Sequence, residues 1–157
     1  MQGALVVGYQ LKTTNTDHVS FVPLDRAAPE LVFETSAGVR GRLSEETGAV
    51  VVHFWATWCS PCVEELPHLL QFARQSDLRI LAVSLDPDWD SIRSFVGAEP
   101  AETIVRARSK DSAVRFGVVT LPETLVIGAD GRLRARFAGA RDWRSETLRR
   151  SIGSVAR

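Results

Sequence analysis

Residues 49–62 read AVVVHFWATWCSPC. The run Ala49 to Trp55 is apolar and β-branched, broken only by His53, and suits a central parallel strand buried on both faces. At its C-terminal end stand Cys59 and Cys62, the only two cysteines of the chain. After them Val63, Leu66, Leu70 and Ala73, with Leu69 and Phe72 beside them, recur at helical spacing up to Gln75. A CxxC between a buried strand and a helix is the context that a redox pair requires.

Placed at the mouth of that helix, the Cys59 sulfur would face unpaired backbone N–H groups and the positive end of the helix dipole, and both favour thiolate over thiol. The thiolate is the form that attacks a disulfide. Cys62, one turn deeper on the same helix face, can reach back and resolve a mixed disulfide formed at Cys59. Pro61 suits the first helical turn, where its missing N–H costs nothing, and it stiffens the intervening loop. Three other readings compete. A zinc site needs about four ligands, and the chain offers no second CxxC and no His pair at ligand spacing among His18, His53 and His68. A purely structural disulfide would close too small a loop to stabilise much. Two inert buried thiols remain as the third alternative.

With 157 residues and 45% hydrophobic content, the chain supports one domain with its own core. Acidic and basic residues balance at 19 each, so no broad field draws in nucleic acid or an anionic membrane. Two cysteines are too few for a disulfide framework, which leaves the core to hold the fold. The start, Met1 to Leu11, has no basic segment and too short an apolar run for a signal peptide or a membrane span. The apolar Ala4 to Val7 could equally be the end of a trimmed anchor, the one route by which a membrane is expected to enter.

Residues 1–27 read as an N-terminal arm or linker, with a loop at Thr13 to Asp17 and one strand at Val19 to Val22, ahead of a domain at 28–157. Leu31 to Glu34 and Val39 to Leu43 suggest a hairpin turning at Ala37-Gly38, and Ser44 to Gly48 a capped helical turn. A second buried strand comes at Arg79 to Leu85. Asp86-Pro87-Asp88 then opens a helix bearing Trp89, Ile92, Phe95 and Val96. Strand, helix, strand, helix implies a parallel sheet with right-handed crossovers. A short strand near Thr103 to Val105 and a short helix from Asp111 to Phe116 come next. Strands at Leu125 to Ile127 and Leu133 to Phe137 are joined through the turn Ala129 to Arg132, and an amphipathic helix runs from Ser145 to Val155.

The stretch FWATWCSPC resembles the active-site segment of the thioredoxin superfamily, closest to the TlpA, ResA and CcmG type of membrane-tethered thiol-disulfide reductases. The resemblance runs from about Ala28 onward. Ala28-Pro29-Glu30-Leu31 before a hairpin resembles the extra N-terminal hairpin of that branch, and Leu43-Ser44 its approach to the central strand. Pro67 matches the kinking proline of the active-site helix. Phe116 to Thr124 resembles the loop that carries the family's cis-proline, and Phe137 to Trp143 the run into the last helix. The implied architecture is α/β: a thioredoxin-like fold, a central mixed sheet flanked by helices, with an extra N-terminal β-hairpin.

The resemblance also implies residue roles. Pro122 would be cis and would turn the backbone of Leu121 outward to pair with an extended substrate segment. Glu65 matches an acidic residue kept near the cysteines, where it would shuttle a proton for Cys62; the alternative is a solvated first-turn Glu. Glu64 reads as the solvated kind. His53 departs from the family, which places Asp or Asn there. It could accept the proton of Cys62 or simply be hydrogen-bonded core, and the second reading is favoured. His68 reads as exposed and idle. Trp58 would shield the sulfur and offer a flat contact surface, with Trp55 packed beneath, both reporting redox state by fluorescence.

The resemblance thus implies a protein-disulfide reductase acting outside the cytoplasm, as in the maturation of cytochrome c. It would work as a monomer without metal or cofactor, between protein disulfide substrates and an upstream dithiol electron donor. The rival readings are a general cytoplasmic thioredoxin and a non-catalytic binding module of the same fold.

Overall fold

The computed structural model describes residues 19–157; the expected loop at Thr13 to Asp17, Ala4 to Val7 and His18 lie outside them. The strands are β1 (Val22–Ala27), β2 (Val32–Glu34), β3 (Arg40–Arg42), β4 (Val50–Trp55), β5 (Arg79–Ser84), β6 (Ile104–Ala107), β7 (Glu123–Ile127) and β8 (Arg132–Ala138). The helices are α1 (Ser60–Gln75), α2 (Trp89–Val96), α3 (Asp111–Arg115) and α4 (Glu146–Val155), with a 3-10 turn at Leu43–Glu45. All eight strands join one sheet in the order β1-β8-β7-β4-β5-β6-β2-β3. β4, β5 and β6 run parallel, while β7, β8, β1 and the hairpin β2–β3 pair antiparallel. This is the mixed sheet of a thioredoxin-like fold.

Successive residues of β4 point to opposite faces of the sheet. Val50, Val52 and Phe54 therefore enter one apolar core, together with Phe33 and Leu31 from the hairpin region and Ala113 and Phe116 from around α3. Val51 and Trp55 enter the other, with Leu66, Leu69 and Phe72 of α1, Ile92 of α2 and Leu148 and Ile152 of α4. By the same alternation His53 lies on the α1 face.

Helix boundaries follow local chemistry. Asp88 caps α2 by accepting from the Ser91 N–H at 2.8 Å, and Ser145 caps α4 by accepting from Leu148 N–H at 3.3 Å. The hairpin is packed so closely that a Cβ at Gly41 would overlap the Phe33 ring. That position admits only glycine without movement of the ring.

Among the features that differ from the sequence reading, the turn expected at Ser44 to Gly48 is a 3-10 turn at Leu43–Glu45 with no side-chain cap, β7 starts two residues early at Glu123, and two strand positions shift. The first strand lies at Val22–Ala27 rather than Val19 to Val22, so the expected boundary at Ala27 falls at the end of a paired strand. The reason is visible in its burial: only Leu24 is half-buried and the rest is exposed, so no alternation marks it. Backbone pairing to β8 holds it, with the Asp25–Arg132 ion pair at 2.6 Å. The other shift is small: the short strand near Thr103 to Val105 runs over Ile104–Ala107.

Glu34 joins three elements. Its carboxylate accepts from Arg106 Nε at 2.9 Å on β6, from Arg108 Nη1 at 3.0 Å and from Trp89 Nε1 at 3.1 Å on α2. Burial acts against its charge, but the two guanidinium groups outweigh it and hold the carboxyl below its ordinary range. A carboxyl pKa lowered by folding stabilises above the unfolded value, about 4.3, and the contribution is lost as pH falls through the folded one. Glu34→Gln should therefore lower stability by about 2 kcal/mol at pH 7. The difference should shrink below about pH 4, as read from urea titrations at both pH values.

Candidate active site

Beyond β4 the chain turns through Ala56, Thr57 and Trp58, and Cys59 N donates to Ala56 O at 3.2 Å. The turn is fastened to the end of β5 by one carboxylate. Asp86 accepts from Thr57 N at 3.0 Å, Thr57 Oγ1 at 2.6 Å and Ser84 Oγ at 2.6 Å, while Leu85 N donates to Trp55 O at 2.9 Å. Cys59 is thereby held as the N-cap of α1, with Pro61 in the first turn. The two cysteines are joined in a disulfide with Cα atoms 5.3 Å apart. Cys59 keeps 8% of its surface exposed and Cys62 none. Pro67 lies inside α1, where it withholds one helical N–H.

The Leu121–Pro122 peptide bond is cis. Leu121 is half-buried and packs against the same apolar cluster as Cys59, Cys62 and Trp55, so the loop and the cysteine pair share one wall. Pro122 is buried, and its carbonyl accepts from Gly139 N at 3.0 Å. Around this wall two apolar side chains stand out: Trp58 is 67% exposed and Val119 is 89% exposed. Trp55 is fully buried.

On the α1 side of β4 lies a buried polar group of residues. His53 Nδ1 is 2.8 Å from Thr124 Oγ1, its register partner across β4 and β7. His53 Nε2 is 2.8 Å from Glu65 Oε1, and Glu65 Oε2 accepts from the Arg141 backbone N–H at 2.6 Å. His53 and Thr124 are fully buried and Glu65 nearly so. The edge of the Trp143 ring closes over His53 at a centroid separation of 5.5 Å. Glu65 is thus not a solvated first-turn residue, whereas Glu64 is exposed, as expected of the solvated kind. His68 lies in the open cleft of about 400 Å³ that runs beside α1, with Pro61, Glu64, Glu65, Arg141 and Asp142.

On the other side of the sheet, Glu123 follows the cis bond and is buried against Arg136, with Nε 2.6 Å from Oε1. Burial pushes the Glu123 carboxyl up, with Arg136 opposing. Arg136 Nη2 also donates to Phe116 O at 2.9 Å, which ties the start of the cis-proline loop to β8. A second cleft of about 380 Å³ lies at the far end of the sheet, around Ala28 to Glu30 and residues 127–131. Among the described residues no cluster of His, Cys, Asp and Glu is arranged to hold a metal.

Sequence reasoning misses Asp86, Thr124, Glu123 and Arg141. Asp86 carries a signal, being an acid directly after a buried strand, but by pattern it marks only the start of a helix. Thr124 is a polar residue entering an apolar strand, and its pairing with His53 depends on a register 71 residues away in sequence. Arg141 contributes through its backbone, which leaves no mark in the sequence.

A family profile described as Redoxin matches residues 23–152. The thiol-disulfide oxidoreductase ResA of Geobacillus kaustophilus is 26% identical over 154 residues, covering 95% of this chain and 87% of that protein. The thiol:disulfide interchange protein CycY of Rhizobium leguminosarum bv. viciae is 30% identical over 107 residues, covering 67% of this chain and 54% of CycY. Among solved structures, a candidate thiol:disulfide interchange protein DsbE from Chlorobium tepidum superposes with a TM-score of 0.74 at 26% identity, covering 88% of this chain and all of its own.

The Asp86 clamp can be checked directly. Asp86→Ala leaves the Thr57 N–H without its acceptor, and stability should fall by about 3 kcal/mol in guanidinium titrations of the disulfide form. Hydrogen exchange at the Thr57 amide should speed up more than exchange within β4.

Proposed function

The chain belongs to the Redoxin family and is a thiol-disulfide oxidoreductase; from that premise we propose that it reduces protein disulfides outside the cytoplasm, with Cys59 as nucleophile and Cys62 as resolving thiol. The observation that carries the roles is the unequal exposure of the pair: a partner's sulfur can approach Cys59, whereas Cys62 is sealed beneath it. In the reduced state the Cys59 thiolate attacks a substrate disulfide, forming a mixed disulfide and releasing one substrate thiol. Cys62 then attacks Cys59 Sγ, re-forming the internal disulfide and releasing the second. An upstream protein dithiol restores the reduced pair by the reverse exchange.

Substrate docking falls to the wall beside the cysteines. Trp58 offers an exposed aromatic face, Pro61 stiffens the CxxC turn, and Leu121 with Pro122 presents backbone to an extended segment carrying the target disulfide. Glu65 and His53 support the buried sulfur. The reading is supported by relatives named ResA, CycY and DsbE homolog, which are described as thiol-disulfide oxidoreductase or interchange proteins. A role in preparing apocytochrome c for haem attachment fits that company. No described helix is long and apolar enough to cross a membrane. The working unit we assign is the monomer, with residues from about 28 onward as the catalytic domain.

Two measurements test this reading. Equilibration in glutathione and dithiothreitol buffers, followed by tryptophan fluorescence, should give a potential near or below about −270 mV; one near −120 mV would overturn the reducing direction. Cys62→Ser should accumulate mixed disulfides with substrate proteins. Cys59→Ser should trap none, and a Cys59→Ser protein that still supports the biological role would remove catalysis from the account.

A further inference from the structure

We propose that a shelf beside the cis-proline loop, made by Arg26 of β1 and Arg115 of α3 with the exposed valines around them, selects substrates by docking an acidic, partly apolar stretch that flanks the target disulfide. The proposal rests on the reading of Leu121 and Pro122 as the platform for substrate and adds the class of sequence that the platform takes.

The shelf is built around one turn. α3 is capped at Phe116, and Gly117 follows with φ +77, so that Gly117 N donates to Val114 O at 2.8 Å and Val118 N to Ala113 O at 3.0 Å. Val118 is buried in the core on this side of the sheet. Val114 before the turn and Val119 after it are both exposed, and Val22 of β1 is exposed beside Arg136, its register partner on β8. A single exposed valine needs no explanation. Three of them bordering the loop that receives substrate leave apolar surface where a partner has to come close.

The charges here are unbalanced. The Phe116 carbonyl, at the end of α3, has two guanidinium groups aimed at it: Arg136 Nη2 at 2.9 Å and Arg26 Nη2 at 3.5 Å. Arg136 satisfies that oxygen, and its own charge is answered by Glu123. Arg26 lies at the limit of a hydrogen bond and forms no ion pair among the described residues, since Asp25 next to it is taken by Arg132 at 2.6 Å. Arg115, exposed on the last turn of α3, forms none among them either. At the other end of α3 Asp111 is balanced by Lys110 beside it. Around Phe116 three guanidinium groups therefore stand against one carboxylate. Like charges converging on one oxygen repel each other, and a carboxylate brought in by a partner relieves that repulsion.

The opposite side of the loop differs. Pro122 O accepts from Gly139 N at 3.0 Å, and beyond Gly139 the cleft beside α1 carries Glu64 and Asp142 together with His68, Arg141 and Arg144. Both signs are present there, and Asp142 and Arg144 pair with each other at 2.8 Å. An extended segment lying on Leu121 thus meets a positive, apolar shelf in one direction and a mixed surface in the other. From Leu121 back to Phe116 the chain spans at most about 19 Å, which an extended substrate covers in about six residues. The acidic stretch belongs within that distance of the target cysteine, and on one side of it only.

The test uses the reduced protein and short synthetic peptides whose single cysteine is held in a mixed disulfide with 2-thiopyridine. The Cys59 thiolate attacks the peptide sulfur and forms a new sulfur–sulfur bond with it. The bond to the thiopyridyl sulfur breaks, and the electron pair leaves as thiopyridone, which takes up a proton and is read by its absorbance. The peptides differ only in whether Asp, Ser or Lys flanks a leucine, placed either before or after the cysteine. In one of the two placements the Asp peptide should react about fivefold faster than its Ser counterpart at low ionic strength, and the Lys peptide slower by about the same factor. The other placement should show little difference. In about 1 M salt the preference should fall to near parity, and Arg26→Gln combined with Arg115→Gln should abolish it at low salt. Ratios taken within one protein cancel any change in the reactivity of Cys59 itself. Equal rates for the three peptides in both placements would overturn the proposal, as would an Asp preference of the same size in both, or one that survives high salt or the double variant. Should the double variant fail to fold, the placement and salt dependence of the unaltered protein decide the matter. Release from none of the peptides would overturn the exchange reading itself, and this proposal with it.

Discussion

The site depends on one constraint: β4 is buried on both faces along its whole length and paired on both edges, to β7 as far as Phe54 and to β5 as far as Trp55. A strand so enclosed cannot slip, because a shift of one residue would exchange every side chain between the two cores. Trp55 is thereby fixed as the last strand residue, and the turn after it starts from a position with no freedom to drift. The same constraint delivers His53 to the helix side. An imidazole there must find partners within the protein, and it finds one across the sheet and one on α1.

Around this strand the molecule separates two kinds of polar contact. Glu34 ties the hairpin to β6 and α2 with charge-assisted hydrogen bonds of good direction. Asp86 does the same for the CxxC turn. Those carboxylates are satisfied and serve to fix backbone. Glu65 and Glu123 are buried beside a cationic or potentially cationic partner, yet in each pair the close nitrogen and oxygen lack hydrogen-bond direction. Both imperfect pairs lie next to the cysteines or the cis-proline loop.

Much of this was legible in the sequence. The apolar run of β4 and the CxxC after it identify the central strand and the first helix, because each rests on local periodicity and spacing. The cis bond at Pro122 and the hairpin come from resemblance and match the geometry. The first strand was not legible, since an edge strand held by backbone pairing and a surface ion pair leaves no apolar pattern. His53 and Glu65 each stand out in the sequence, but separately. What joins them is the packing of α1 against the sheet, and no local rule contains that distance. Thr124 and the Arg141 amide were invisible for the same reason.

The two borders of the sheet carry one more consequence. β3 is three residues long and reads Arg-Gly-Arg, and β1 holds Pro23 among exposed Asp25 and Arg26. Neither offers a stray polypeptide a long, flat, uncharged ladder to extend. A thiol-disulfide oxidoreductase meets other polypeptide chains at its redox loop as its daily material. With both borders closed to them, such chains can be held at the redox loop and let go, and the carrier itself is not drawn into their aggregates.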